Sequence, residues 1–251
     1  MESQPLVSVI MPCYNMEKYI SEAIVSVRQQ TYPHWELLIV DDASTDATEA
    51  VIESHCQQDE RILFTKKDLH SGIADSRNLC IKMAQGQYLA FLDADDVWQP
   101  KKLETQLAFM TKKKIGFSYS SYDCIDESGQ PLNKIVKAAG DMDYEAYLHN
   151  TIIGCSTVMV NKDIVGNIVV PKFRTSEDTA TWLDILKKGF VAYAIEQPLT
   201  RYRIRSKSAS SNKLKASADL WKVYRQNEHL PFFKAFACFV SYVYHAIKKR
   251  L

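Results

Sequence analysis

Long uninterrupted apolar runs are missing from this 251-residue chain. None approaches the ~20 residues that a membrane-spanning helix needs, so no segment reads as a span. Paired cysteine motifs are missing as well: Cys13, Cys56, Cys80, Cys124, Cys155 and Cys238 include no Cys-x-x-Cys. So spaced, they read as reduced thiols of a cytosolic protein rather than a disulfide frame or a zinc site. Neither sign of charge dominates. The 31 basic and 30 acidic residues leave a net charge of +1, which gives no general polyanion-binding surface and no reason to expect a nucleic-acid partner. No Gly-x-Gly-x-x-Gly follows the first apolar run, which disfavours a dinucleotide-binding enzyme. Glu2 stands where a secretion signal would carry Lys or Arg, and Pro12 ends that first run early, so no such signal is expected. Repeats and low-complexity segments are absent. What remains is 46% hydrophobic, enough for a full core, at a length that suits one large domain or one domain with an appendage.

The first hundred residues alternate strand and helix. Residues 7–11 read as a buried strand, and Asn15 as the cap of a helix to about residue 30 with Ile20, Ile24 and Val27 on one face. Residues 37–40 form a second strand entering Asp41-Asp42, after which Ser44 or Thr45 caps a helix to about Cys56. A third strand covers 62–65. A helix over about 73–84 is capped by Ser71 and stopped by Gly86, and a fourth strand covers 88–92. Strands alternating with helices imply βαβ units and a mostly parallel sheet. Beyond this, the pattern predicts helix over 101–111, strand over 115–119, a hairpin turn at Glu127-Ser128-Gly129-Gln130-Pro131 and strand over 156–160. It also predicts helix from Glu177 to Lys188 ending at Gly189, then strand over 190–195. Residues 201–213 are basic, Ser-rich and read as mobile, and the chain from Leu214 reads as helix.

The sharpest local feature is Leu89-Ala90-Phe91-Leu92-Asp93-Ala94-Asp95-Asp96, an apolar strand that ends in three carboxylates within four residues. Carboxylates so crowded repel one another unless a cation sits between them. Hard cations such as Mg²⁺ and Mn²⁺ take oxygen ligands, often one or two carboxylates plus substrate phosphates. The run therefore reads as a metal–phosphate site at the C-terminal edge of a sheet, where open α/β sheets bind ligands. An acidic helix cap before Pro100 is the plain alternative.

Three other clusters can join it. The first and second strand exits, Met11-Pro12-Cys13-Tyr14-Asn15 and Asp41-Asp42-Ala43-Ser44-Thr45-Asp46, are neighbours in a doubly wound sheet, and the crevice between them suits a nucleotide. Tyr14 can stack on a base and Asp42 can accept from a base N–H; otherwise Tyr14 is a packing aromatic and Asp42 a helix cap. Arg77 lies one turn into a helix opened by small residues, a phosphate-binding arrangement, or it pairs with Asp75 or Asp93. Glu177-Asp178 open a helix, either as acids favoured by its dipole or as a general base brought to the metal site.

Together these motifs, in this order and spacing, resemble the family 2 glycosyltransferases over about residues 5–210. The carriers are Val7-Ser8-Val9-Ile10-Met11-Pro12-Cys13-Tyr14-Asn15, Leu38-Ile39-Val40-Asp41-Asp42-Ala43-Ser44-Thr45-Asp46, the segment from Gly72 to Asn78, Phe91-Leu92-Asp93-Ala94-Asp95-Asp96 and Glu177-Asp178. The nearest likeness is to non-processive bacterial enzymes that build surface polysaccharides such as capsule and lipopolysaccharide. The resemblance implies a GT-A fold: an α/β, Rossmann-like, mostly parallel central sheet flanked by helices, with a C-terminal helical extension. It implies a catalytic domain over 1–213, with a nucleotide-sugar half (about 1–100) and an acceptor half (about 101–213), and an extension over 214–251. It implies a nucleotide-sugar donor, most often UDP-linked, a glycan or lipid-linked acceptor, and inversion at the anomeric carbon with Mn²⁺ or Mg²⁺.

By position, Pro12, Tyr14 and Asp42 would hold the uracil, with Asn15 alongside and Arg77 near the nucleotide. Asp95 would face the ribose and the metal, and Asp96 would ligate the metal. Asp178 would be the base, with Glu177 beside it. The Gln-x-x-Arg-Trp signature of processive members is absent, so one sugar per encounter is expected. Where many non-processive relatives carry a His in the segment matching residues 202–208, this chain has Arg205, so Arg203 or Arg205 is expected to contact phosphate. A catalytically silent nucleotide-sugar-binding module, or a nucleotidyltransferase on a similar sheet, is the competing reading; intact Asp96 and Asp178 argue against the silent one.

The tail is aromatic: Phe232, Phe233, Phe236, Phe239, Tyr242 and Tyr244 precede Lys248-Lys249-Arg250. On a helix, Lys234, Cys238, Ser241, His245 and Lys248 share one stripe and the rest is broadly apolar. That pattern fits a helix lying in the inner face of the cytoplasmic membrane with Lys234 toward the headgroups. A helix docked on the catalytic domain, or in a homodimer interface, is the alternative.

Overall fold

The computed structural model describes residues 4–206 and 213–248. Strand β1 (Val7–Cys13) is buried along its whole length, as a strand covered on both faces must be. It pairs in parallel with β2 (Trp35–Asp41) on one side and β4 (Tyr88–Phe91) on the other, and β3 (Ile62–Lys66) extends the sheet beyond β2. The linking helices are α1 (Ile20–Arg28), α2 (Thr48–Cys56) and α3 (Ile73–Met83). β1 runs through Pro12 rather than stopping at it, in a stretch where pairing with β4 has already ended at Ile10. A missing N–H is tolerable there.

The second half adds β5 (Val97–Trp98), α4 (Lys102–Lys113), the hairpin of β6 (Phe117–Ile125) and β7 (Pro131–Val136), and α5 (Tyr144–His149). A 3₁₀ turn (Cys155–Thr157), β8 (Met159–Asn161), α6 (Lys162–Val165), α7 (Glu177–Leu186) and β9 (Tyr193–Arg203) follow. Among the described residues the sheet runs β3-β2-β1-β4-β8-β6-β9-β5, with β7 on β6. Six strands share one direction; β5, β7 and β8 oppose them. The strand expected over 156–160 is therefore a 3₁₀ turn plus three residues of β8, and the last strand starts later and runs much longer, to Arg203. Residues 201–203 belong to that strand; 207–212 of the segment expected to be mobile lie outside the described residues.

Alternation along the strands divides the core in two. Ile10, Leu38 and Phe91 join Trp182 and Leu183 on one face, while Val9, Met11, Leu37 and Ile39 join Ile20, Ile24, Leu103 and Leu107 on the other. Trp182 lies 5.0 Å from the Phe91 ring and 5.4 Å from the Phe117 ring. This contact seats α7 beneath the sheet and brings its first residues, Glu177 and Asp178, to the strand exits.

The helix caps depart from expectation. Neither Asn15, Ser44, Thr45 nor Ser71 caps its helix, because Tyr19, Ala47 and Gly72 occupy the cap positions with no side-chain cap bond. Asp46 instead accepts from Thr48 N at 3.0 Å. Gly86 is not a helix stop either. α3 ends at an extended Ala84, and a Cβ on Gly86 would sit 2.6 Å from Leu6 O and 2.8 Å from Ser8 N, so glycine is needed for close approach to β1.

The chain ends in α8 (Lys213–Lys222), a π-helical turn (Val223–Asn227) and α9 (Phe232–Lys248). Leu220, Val223, Tyr224, Leu230, Ala235 and Cys238 are buried in the same cluster as Trp182. The stripe expected to face headgroups faces protein instead: Lys234 pairs with Glu145 of α5 at 2.7 Å, and Cys238 is buried 3.8 Å from His149. A narrow mixed stripe suffices to dock the helix, and the aromatics are left outside. Phe233 is 86% exposed, with Phe232, Phe236, Val240, Tyr244 and Ile247 also exposed. The Lys248 side chain and residues 249–251 lie outside the described residues. Among those described, no helix is long and apolar enough to cross a membrane.

Candidate active site

β1, β2 and β4 end on one edge of the sheet, and their exits carry the polar residues singled out above. Asn15 and Ala43 take left-handed φ values of 52° and 62°, at a cost of roughly 1–2 kcal/mol for each non-glycine residue. Such strain gathers at functional sites. The two turns are stitched together: Asn15 N donates to Ser44 Oγ at 2.8 Å and Asn15 Oδ1 accepts from Thr45 N at 2.9 Å. Asn15 thus holds the shape of the crevice. Pro12 is buried in β1 behind it.

Asp42 is 2% exposed. It accepts from Lys67 Nζ at 2.6 Å, Gly72 N at 2.7 Å and Ser71 N at 3.1 Å, and His70 Nδ1 lies 2.8 Å away. Burial opposes its charge, but Lys67 and the two backbone N–H groups outweigh burial and hold the carboxyl below the usual range. Four contacts fill the acceptor capacity of a carboxylate, so a base N–H can reach Asp42 only in exchange for one of them. The Tyr14 ring, 39% exposed, lies 4.2 Å from the His70 ring, and the pair walls the crevice. The sequence reading singles out Tyr14 and misses His70; its place directly before Ser71-Gly72 is the available signal.

The three carboxylates after β4 take different partners. Asp93 accepts from Arg77 Nη2 at 2.9 Å, and Arg77 Nη1 reaches Glu177 Oε1 at 3.2 Å. Arg77 is thus an ion-pair bridge, and Asp75 pairs with Lys172 instead. Arg77 Nε and Glu177 Oε2 are buried without a partner among the described residues. Asp95 Oδ2 meets Arg205 Nη2 at 2.6 Å. Asp96, 1% exposed, accepts from Ser156 Oγ at 2.5 Å and from Arg203 N at 2.9 Å. Burial, then Asp95 and Asp93, push the Asp96 carboxyl well above the ordinary range.

Arg203 is held by four neighbours. Its Nε donates to Asp95 O at 2.8 Å, its Nη1 to Asp126 O and Glu127 O at 3.3 and 3.2 Å, and its Nη2 pairs with Glu22. A guanidinium with four of its five donors so engaged is first of all a structural pin. Ser156, which ties Asp96 to the backbone N of Asp93 at 3.0 Å, carries no sequence signal, since it reads as part of a strand.

At the opening of α7, burial pushes the Glu177 carboxyl up to about 7 against the pull of Arg77, with Asp178 adding to the rise. Burial raises Asp178 as well, against Arg77. Asp178 Oδ1 accepts from Thr179 N at 2.7 Å, and the residue is part-exposed where Glu177 is buried.

Among the described residues no three metal-ligating side chains cluster. A cation that shares its shell with substrate phosphates needs only one or two carboxylates. Asp93 Oδ2 and Asp95 Oδ1 accept no hydrogen bond among the described residues, so these carboxylate oxygens are the hard donors left for Mg²⁺ or Mn²⁺. Asp96, 1% exposed and accepting one hydrogen bond on each oxygen, is the least accessible of the three.

Comparison with known proteins gives a consistent picture. Residues 8–168 match glycosyl transferase family 2. TuaG of Bacillus subtilis (strain 168), named for teichuronic acid biosynthesis, is 47% identical over 99% of this chain and 98% of its own length. WfgD of Escherichia coli, a UDP-Glc:alpha-D-GlcNAc-diphosphoundecaprenol beta-1,3-glucosyltransferase, is 37% identical over 97% of this chain and 94% of its own. Among solved structures, TarS 1-349 of S. aureus in complex with UDP-GlcNAc superposes with a TM-score of 0.73 at 16% identity, covering 98% of this chain and 73% of that one. The mannosyltransferase PcManGT of Pyrobaculum calidifontis, with GDP-Man and Mn²⁺, gives 0.69 at 18% identity, covering 98% and 74%.

Proposed function

The chain belongs to glycosyl transferase family 2, and we propose that it moves a single sugar from a UDP-linked donor to a lipid-diphosphate-linked glycan in bacterial surface polysaccharide synthesis. The observation that carries this reading is the meeting of Asp93, Asp95, Arg77 and the Glu177-Asp178 pair at one sheet edge, beside the Tyr14–His70 crevice. The choice of UDP and of a lipid-linked acceptor rests on the relatives, of which WfgD uses UDP-Glc and a diphosphoundecaprenol acceptor. The fold leaves the base open, since one structural neighbour holds UDP-GlcNAc and another GDP-Man.

In this reading Tyr14 and His70 offer ring faces to the base, and Asp42 exchanges a present donor for the uracil N–H. Mn²⁺ or Mg²⁺ at Asp95, with Asp93 alongside, would neutralise the leaving diphosphate. Arg77 holds Asp93 and Glu177 in place, so that Asp178, bonded through Oδ1 to Thr179 N, is the carboxylate without an ion pair at the mouth of α7 among the described residues. Asp178 takes the acceptor hydroxyl proton on the face opposite the departing diphosphate. One displacement follows, with inversion, and no second nucleophilic carboxylate is required. With no Gln-x-x-Arg-Trp downstream, one sugar is added per encounter.

A thermal-shift panel of nucleotide-sugars with Mn²⁺ tests the donor. A UDP-sugar at a hundred times its Kd should stabilise the fold by about 2.7 kcal/mol. A shift with GDP-sugars alone would overturn the UDP assignment.

We further propose that α9 seats the enzyme on the inner face of the cytoplasmic membrane. Phe232, Phe233, Phe236, Val240, Tyr244 and Ile247 form an uncovered apolar face, and the sequence continues into Lys249-Arg250. Each such charge near an anionic surface adds roughly 1 kcal/mol. Phe233→Ser with Phe236→Ser should release the protein from anionic liposomes in flotation while leaving UDP binding intact. Wild-type protein that does not float, and dimerises in solution, would assign the face to a second copy instead.

A further inference from the structure

Three carboxylates crowded at a strand exit repel one another unless each is neutralised. Asp93, Asp95 and Asp96 lie within four residues, and each solves the problem differently. Asp93 is paired with Arg77, which is itself locked to Glu177. Asp96 is buried and satisfied by Ser156 Oγ and Arg203 N. Asp95 has Arg205, at 2.6 Å, as its ion-pair partner among the described residues.

Arg205 differs from Arg77 and Arg203 in how it is held. Its segment is fixed on both sides. Arg203 is pinned to Asp95 O, Asp126 O, Glu127 O and Glu22, and Ser206 donates from N and Oγ to Glu127 Oε1 at 2.6 and 2.7 Å. The Arg205 guanidinium, 5.2 Å from the Tyr19 ring, makes its one ion pair with Asp95, and its Nε is buried without a partner among the described residues. A guanidinium has five donors. This one therefore holds unused hydrogen-bonding capacity beside the carboxylate that fits a divalent cation.

We propose that Arg205 is a resident counter-ion for Asp95, and that it exchanges Asp95 for the donor diphosphate when a metal–nucleotide complex binds. The proposal rests on Asp95 as the metal ligand, as argued above. A divalent cation arriving at Asp95 repels the guanidinium. Without nucleotide the displaced charge has no new partner, so the cation binds weakly. With nucleotide, the diphosphate oxygens offer a bidentate partner in reach of the freed fork. Metal and nucleotide thereby bind cooperatively, and linkage makes the effect reciprocal.

The test is Mn²⁺ binding, read from free Mn²⁺ by electron paramagnetic resonance, with and without UDP, in wild type, Arg205→Met, Arg205→Lys and Asp95→Asn. Arg205→Met should tighten Mn²⁺ binding without UDP by about fivefold or more, the low end of usual coupling between sites. It should also weaken UDP binding at saturating Mn²⁺ and shrink the factor by which UDP tightens Mn²⁺. Arg205→Lys keeps the charge but not the fork, so it should still exclude Mn²⁺ alone while losing part of the coupling. It serves as the test if the methionine variant fails to fold. Unchanged or weaker Mn²⁺ binding in Arg205→Met, with binding lost in Asp95→Asn, overturns the exchange and leaves the metal site standing. Wild-type Mn²⁺ affinity in Asp95→Asn overturns the metal site, and the exchange with it.

Discussion

Asp178→Asn is expected to cut sugar transfer by about 10²–10⁴-fold while leaving UDP affinity within about twofold, the signature of a lost general base. The amide keeps the shape and the bond from Thr179 N, but it cannot take a proton. Glu177 cannot substitute readily, because it is buried and tied to Arg77. The pH profile gives an independent check. Burial raises the Asp178 carboxyl, against the pull of Arg77, and a base works only when ionised. Transfer should therefore rise with pH along an acid limb displaced above the ordinary aspartate range, and Asp178→Asn should lose that limb. Transfer within about twofold of wild type in the variant would move the base elsewhere.

Asp95→Asn, or chelation with EDTA, is expected to cost on the order of 10³-fold in transfer, since a metal supplies several kcal/mol of charge stabilisation. The informative contrast is Asp96→Asn. Both Asp96 oxygens accept, one from Ser156 Oγ and one from Arg203 N. An amide would turn an N–H toward one of these donors and leave a buried polar group unsatisfied, at about 1–3 kcal/mol. Asp96→Asn should therefore lower the unfolding midpoint and spare Mn²⁺ affinity, and Asp95→Asn should do the reverse. Calorimetric Mn²⁺ titration beside thermal unfolding separates the two. Loss of Mn²⁺ from Asp96→Asn at unchanged stability would restore Asp96 as the ligand.

The alternation of strand and helix through Leu92 is legible in the sequence, because strands covered on both faces leave near-continuous apolar runs such as Leu37-Leu38-Ile39-Val40. Legible too are the β6–β7 turn, since Ser128-Gly129-Gln130 are turn formers between two extended runs, and, as the proposed site, the grouping of Tyr14, Asp42, Arg77, Asp95 and Asp178 through motifs of specific order and spacing. The division of labour among adjacent groups is set by the fold. Asp95 and Asp96 are neighbours in sequence, yet one meets Arg205 and the other Ser156 and the Arg203 backbone. Arg203 and Arg205 likewise read alike, and only the first is consumed by Glu22, Asp126 and Glu127. The outward face of α9 followed from its docking on α5, which took up Lys234 and Cys238 and left the aromatics uncovered. The common physical reason is distance along the chain. An apolar periodicity is local and can be read residue by residue. A carboxylate's role depends on which donors arrive from segments 60 and 107 residues away, and only the folded sheet brings them together.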